Sequence, residues 1–260
     1  MIEIALCLAI IGFALVSILL VLPSGMNTQR ETREETIINQ DATMLLEAIR
    51  SGARGLDDLT NNVYAITNYT TDYNNTGARI ANHTWGYTFS QAALDNVSHP
   101  ERCLTNGLRI VGLLSTPEFV DANVMPIPNA SVHSTLGTFY TSNHVVAYVR
   151  SFSGLAAEKP PQNNQIMQQD TFSYRVLCVN APMAADTNVL INPGYARQLA
   201  GNLRELRMTF LWPQLPNGNV GAFRQTFRSS VGGQMLATSD IPFNNPWLYF
   251  YQSQSFTNAP

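Results

Sequence analysis

Nineteen consecutive positions, Ile4 to Leu22 (IALCLAIIGFALVSILLVL), carry no charge, and a single carboxylate, Glu3, stands at their head. As a helix this run is about 28 Å long, close to the hydrocarbon thickness of a bilayer, so its length predicts a membrane span. A secretory signal has a shorter apolar core behind a basic flank, whereas no Lys or Arg precedes Arg30. Pro23 and Gly25 follow at once and predict a break or kink in the helix. Thr28-Gln29-Arg30-Glu31 then reads as a capping box that restarts it. From Thr28 to about Arg54, apolar residues recur at Ile38, Ala42, Leu45, Ile49 and Ala53 in steps of four, three, four and four. That spacing predicts one buried stripe, with Arg33, Glu34 and Asp41 on the solvated face opposite.

Beyond the helix the pattern changes. Residues 60–98 are rich in Asn and Thr with scattered aromatics and read as a loop-rich excursion. Short β-branched or aromatic runs, 108–114 (LRIVGLL), 138–150 (TFYTSNHVVAYVR) and 172–179 (FSYRVLCV), predict strands. The Pro/Gln-rich stretch between the last two is too polar to add core. Residues 202–212 could begin as helix and continue as strand, and Asn217-Gly218 is a strong tight-turn signal, so 203–231 is predicted to be a hairpin. PWLYFYQSQSF near the end predicts one further edge strand. The expectation is an α+β fold: a long N-terminal helix, apolar over 1–25 and amphipathic over 26–58, packed on a mainly antiparallel sheet head over 59–260.

Charge and cysteines refine this picture. Net charge is −3 with pI near 5.8, which gives no basic footprint for nucleic acid. Arg30 and Arg33, just after the span, favour a cytoplasmic C-terminal side. The Asn/Thr-rich remainder, with Lys159 as its one lysine, favours the outside. A processed form that has lost a basic leader reconciles the two. Cys7 reads as a small hydrophobe in the span. Cys103 and Cys178, 75 residues apart, are expected to form a disulfide in an oxidising compartment, worth about 4 kcal/mol on the chain-entropy model; the alternative is two reduced, buried thiols.

Catalytic chemistry finds no footing. His83, His99, His133 and His144 lack metal-ligand spacing with each other or with the downstream cysteines. No nucleophile elbow, P-loop or dinucleotide fingerprint occurs, so no enzyme, metal or cofactor is expected. Arg204, Arg207, Arg224 and Arg228 alternate with apolar residues and read as the solvated face of two strands; an anion or partner surface is the sharper alternative. The N-x-S/T triplets at Asn68, Asn74, Asn82, Asn96 and Asn129 arise easily in such a composition and are not expected to carry sugars.

Met1-Ile2-Glu3-Ile4, with Gly12 nine residues after the Glu on an uncharged span, resembles the start of mature type IV pilins and pseudopilins. LLVLPSGMNTQRETREET, LRIVGLLSTPEF and LRELRMTFLWPQLPNGN resemble the prepilin-like Verru_Chthon cassette proteins. The resemblance implies a pilin-like fold, a leader cut by a prepilin peptidase, a methylated N-terminal Phe and assembly by an inner-membrane platform with a cytoplasmic ATPase. It implies copies of the chain bundling their helices as a filament core, with the heads outside the cell. Glu3 would then pair with the amino terminus of a neighbouring subunit, which offsets the cost of burying a carboxylate and sets the register. Alternatives are a minor pseudopilin of a type II secretion-like system and a single-span anchored binding domain that does not polymerise. Two departures stand out: the family has two more residues before the position of Met1, and its proline falls about three residues earlier relative to the Glu. Gly12, Pro23 and Gly25 are the expected points where the helix loosens.

Overall fold

The computed structural model describes residues 2–52, 59–88, 102–127, 139–153, 172–183, 199, 202–215, 217–239, 247–252 and 255–256. Helix α1 spans Ile2–Ser51 without interruption. The predicted break is therefore corrected: Pro23 lies inside the helix, and Gly12 and Gly25 are regular helical positions with open space around their Cα atoms. Proline removes one N–H, here the donor to the Leu19 carbonyl, yet its fixed φ is compatible with helix, so the turns on either side carry the backbone through. Thr28 does not act as a cap. Its hydroxyl donates to the Ser24 carbonyl one turn back, and Ser17, Thr32, Thr36 and Thr43 do the same to Phe13, Thr28, Thr32 and Asn39.

The expected stripe forms: Ile38, Ala42, Leu45 and Ile49 are buried, joined by Ala48, while Ala53 lies outside the described residues. Glu34 and Asp41 are buried on that same face, which corrects their assignment to the solvated side. Positions 34, 38, 41, 45 and 48 follow one another at three or four residues and share one side of the cylinder whatever their polarity.

A short helix α2 (Leu59–Asn62) leads into β1 (Val63–Tyr73), which pairs antiparallel with β2 (Arg79–Thr88). The excursion expected over 60–98 is thus a hairpin in its first part, its turn held by the Asn74 side chain, which accepts from the backbone N–H groups of Thr76 and Ala78. LRIVGLL lies in helix α3 (Gly107–Leu114), not a strand: Asn106 caps it by accepting from the Arg109 N–H, and a short, mostly apolar run suits a largely buried helix equally well. Strands β3 (Phe119–Asp121), β4 (Tyr140–Arg150), β5 (Ser173–Pro182), β6 (Leu203–Gln214) and β7 (Val220–Gly232) follow. The β6–β7 hairpin is as predicted, with Gly218 at φ +81° and Asn217 accepting from the Asn219 N–H; β6 is strand from its first residue. The antiparallel sheet runs β2-β1-β4-β5-β6-β7, and β3 pairs with the start of β4. The aromatic run near the end is β9 (Trp247–Gln252), paired with β8 (Gln234–Ser239) in a separate two-stranded sheet.

One face of the large sheet carries Val145, Ala147, Val149, Tyr174, Val176, Leu206, Met208 and Phe210 at alternate positions, all buried. The C-terminal half of α1, α3 and β9 form the second layer over it. Gly112 permits the approach of α3 to β9, since a Cβ there would lie 2.8 Å from Leu248 Cβ. The result is an α+β fold in which the long N-terminal helix is docked along only part of its length.

Candidate functional site

The first 32 residues of α1, Ile2 to Arg33, contain no buried residue. Their side chains stand open on all sides: Leu6 is 61 %, Phe13 77 % and Leu20 74 % exposed. At 1.5 Å per residue this segment projects roughly 48 Å beyond the head. Soluble surfaces seldom carry contiguous apolar patches beyond a few hundred Å², and this cylinder far exceeds that. It is long and apolar enough to cross a membrane. Glu3 lies in its first turn, exposed, and Cys7 is an exposed thiol on the same segment.

The docked half is fixed by a polar clamp that the sequence reading missed. Asp41 is 1 % exposed and accepts hydrogen bonds from the Tyr174 hydroxyl (2.9 Å), the Ser153 hydroxyl (2.7 Å) and the Phe152 N–H (3.1 Å). These donors come from β5 and from the chain just after β4, so the carboxylate ties helix to sheet. Burial raises the Asp41 carboxyl above the usual carboxylate range, and the three donors pull partly the other way. Tyr174 is raised well above its ordinary value, by burial first and then by the adjacent carboxylate. The available signal was position: Asp41 falls in register with Ile38 and Leu45.

A second buried polar cluster braces the far side of the head. Arg204 is wholly buried, which corrects its placement on a solvated face; it points inward with Leu206 and Met208, whereas Arg207, Arg224 and Arg228 occupy the outer positions as expected. Its Nε donates to Asn180 Oδ1 and its Nη2 to the Asn180 carbonyl, both at 3.0 Å. Tyr251 of β9 donates to the same Oδ1 at 2.7 Å, and Asn180 Nδ2 donates to the Ser115 carbonyl at 2.6 Å. Burial lowers the Arg204 guanidinium from its ordinary value, with nearby Glu118 opposing. Asn180 is thus the hub that joins β5, β6, β9 and the end of α3.

Cys103 and Cys178 are buried thiols with no disulfide between them, so the expected bridge is corrected. Burial pushes the Cys178 thiol up to about 12, which keeps it protonated and unreactive at neutral pH. Their shared position in the polar half of the sequence suggested pairing, but Cys178 packs within the hydrophobic core, whereas Cys103 is buried beside Arg109, whose guanidinium donates to its carbonyl. Of the histidines, His83 and His144 are exposed, and His83 Nε2 lies 3.4 Å from Asp72 Oδ2; His99 and His133 lie outside the described residues. Among the described residues no group of three His, Cys, Asp or Glu could hold a metal ion. Asn68 points into the head, Asn74 serves the β1–β2 turn, Asn82 is exposed on β2, and Asn96 and Asn129 lie outside the described residues. No family model, curated protein or solved structure matches the chain.

Proposed function

We propose that this chain is the structural subunit of a type IV pilus-like filament, which polymerises through its N-terminal helix. The observation that carries the reading is the run Ile4 to Leu22 in the projecting half of α1: an uncharged helical cylinder, open on all sides, headed by one carboxylate. Such a surface is stable in only two settings, lipid or a bundle of like helices. A monomer waiting in the inner membrane would place Ile4 to Leu22 across the bilayer. On assembly, an extracellular filament core of neighbouring copies would replace the lipid, and the heads would remain outside. Glu3 gives the exchange its register, because a carboxylate entering an apolar core needs a cation, and only a correctly spaced neighbour supplies an amino terminus. The implied partners are copies of the chain, a prepilin peptidase and an inner-membrane assembly platform.

The test is a Glu3→Ala variant expressed in the source cells beside the unaltered chain. Sheared surface material is imaged, and its N-terminus is read by mass spectrometry. The expected result is filaments made of this chain in the unaltered cells, and variant protein retained in membranes with filaments lost or greatly reduced. Normal filament yield from the variant would sink the pairing role. Absence of the chain from any sheared filament, with a monomer in detergent, would favour a single-span anchored head, a reading supported by the bilayer-matched length of the same segment. Presence at a few copies per short periplasmic fibre would instead identify a minor pseudopilin.

A further inference from the structure

The inner face of the sheet changes character along its strands. Near α1 it presents Ile66, Val145, Ala147 and Val149, all buried. Toward the other end, at the C-terminal end of α3, the same inward positions hold Asn143, Thr70 and His83 in one cross-strand row, and Thr141 and Asp72 in the next. A face that keeps its inward alternation while switching from aliphatic to hydrogen-bonding side chains is not core. It forms the floor of an open cleft of about 400 Å³, closed on one side by Trp85 and Tyr87 of β2 and on the other by Trp247 and Tyr249 of β9. This volume lies within the roughly 300–1,000 Å³ typical of small-molecule sites.

The chemistry of the lining narrows the ligand. No Arg or Lys lines the cleft while Asp72 and Asp121 do, which disfavours phosphates, nucleic acids and acidic sugars. The polar floor disfavours a purely apolar guest. Two tryptophans offer flat apolar surfaces, Trp247 being 38 % exposed. Asn68, 9 % exposed beside Trp85, is tied into the floor by donating to Asn143 Oδ1 at 3.4 Å. His83 and Asp72, on the next rows, keep their polar atoms open to the cleft. Flat C–H faces flanked by a fan of hydroxyls are the signature of a pyranose. We propose that this cleft is a carbohydrate-binding site that takes a neutral oligosaccharide, stacked on Trp85 and Trp247 and hydrogen-bonded to His83 and Asp72. The cleft belongs to the head, so this holds whether or not the helix polymerises.

The test uses the full chain in a detergent without a sugar headgroup. The probes are neutral oligosaccharides of glucose, galactose, mannose and N-acetylglucosamine, about three to six units long. Two of the three tryptophans line the cleft, the third being buried Trp212, so intrinsic fluorescence reports occupancy and calorimetry confirms it. Saturable binding of at least one probe is expected, weakened about tenfold or more by Trp247→Ala or Trp85→Ala, retained in Trp85→Phe and unaltered by Phe256→Ala at an exposed site elsewhere. Circular dichroism identifies any variant that fails to fold, in which case the other tryptophan decides. No binding by the folded chain, binding indifferent to both tryptophans, or a response confined to acidic sugars or inorganic phosphate would overturn the assignment.

Discussion

Residues 4–22 and 38–49 belong to one uninterrupted helix, yet the first set is open to its surroundings on every side while the second is covered along a single stripe. The contrast lies in composition and not in backbone. The docked half alternates apolar and polar positions with helical period and places one carboxylate in its stripe to engage the sheet. Residues 4–22 are apolar all round and so have no preferred side to dock. A head can bind only one face of a helix, so an element with no distinct face is left for lipid or for a bundle. The two halves therefore draw stability from different sources, and substitutions can separate them.

The largest effect is expected at Asn180→Ala. Removing the hub strips Arg204 Nε of its acceptor in a fully buried site, and the head should lose about 4 kcal/mol in urea unfolding of the full chain in detergent. Leu45→Ala, in the docked stripe, should follow with a loss of about 3 kcal/mol from the cavity it leaves. Asp41→Asn should cost about 1–2 kcal/mol, because both oxygens of the carboxyl can accept from the three donors even when it is protonated, whereas the amide NH2 that replaces one of them cannot. Its signature is a pH dependence. The folded carboxyl is raised above its ordinary value of 3.8 by burial, so its contribution is fully present below that value and fades as pH rises through the folded pKa. The deficit of the Asn variant should therefore be greatest in acid and shrink toward neutrality; a deficit that grows with pH would show that the clamp favours the ionised form. The smallest effect is expected at Leu15→Ala, 56 % exposed in the projecting half, which should leave head stability within about 0.5 kcal/mol. A loss like that of Leu45→Ala would mean that the projecting half is packed on the head after all.

Much of this contrast was legible in the residue pattern. The span length, the stripe from Ile38 to Ile49 and the Asn217-Gly218 turn are local signals, and each element appears where its signal lies. What escaped was set by tertiary context. LRIVGLL is apolar at every position but one, so periodicity could not separate a buried helix from a buried strand, and the Asn106 cap decided it. Asp41 and Arg204 were assigned to solvent because they are charged, whereas their register placed them inward, and only long-range partners, Tyr174 and Asn180, make that placement tolerable. Residues 63–88 read as a loop because Asn and Thr mask strand alternation; the same polar inward residues now form the cleft floor. Of the candidate site, the apolar cylinder and Glu3 were plain, but the clamp that aims the helix was not.

The hydroxyls along α1 carry a last consequence. Ser17, Thr28, Thr32, Thr36 and Thr43 each return their proton to a carbonyl one turn back. A helix whose polar side chains are already satisfied within itself asks little of its medium. These hydroxyls are in that sense amphibious: they can be wetted or pressed against lipid or protein without stranding a donor, while the charges from Arg30 to Glu35 hold the middle of α1 at a polar boundary. The proposed exchange of lipid for a bundle of like helices would therefore leave no hydroxyl donor behind unpaired.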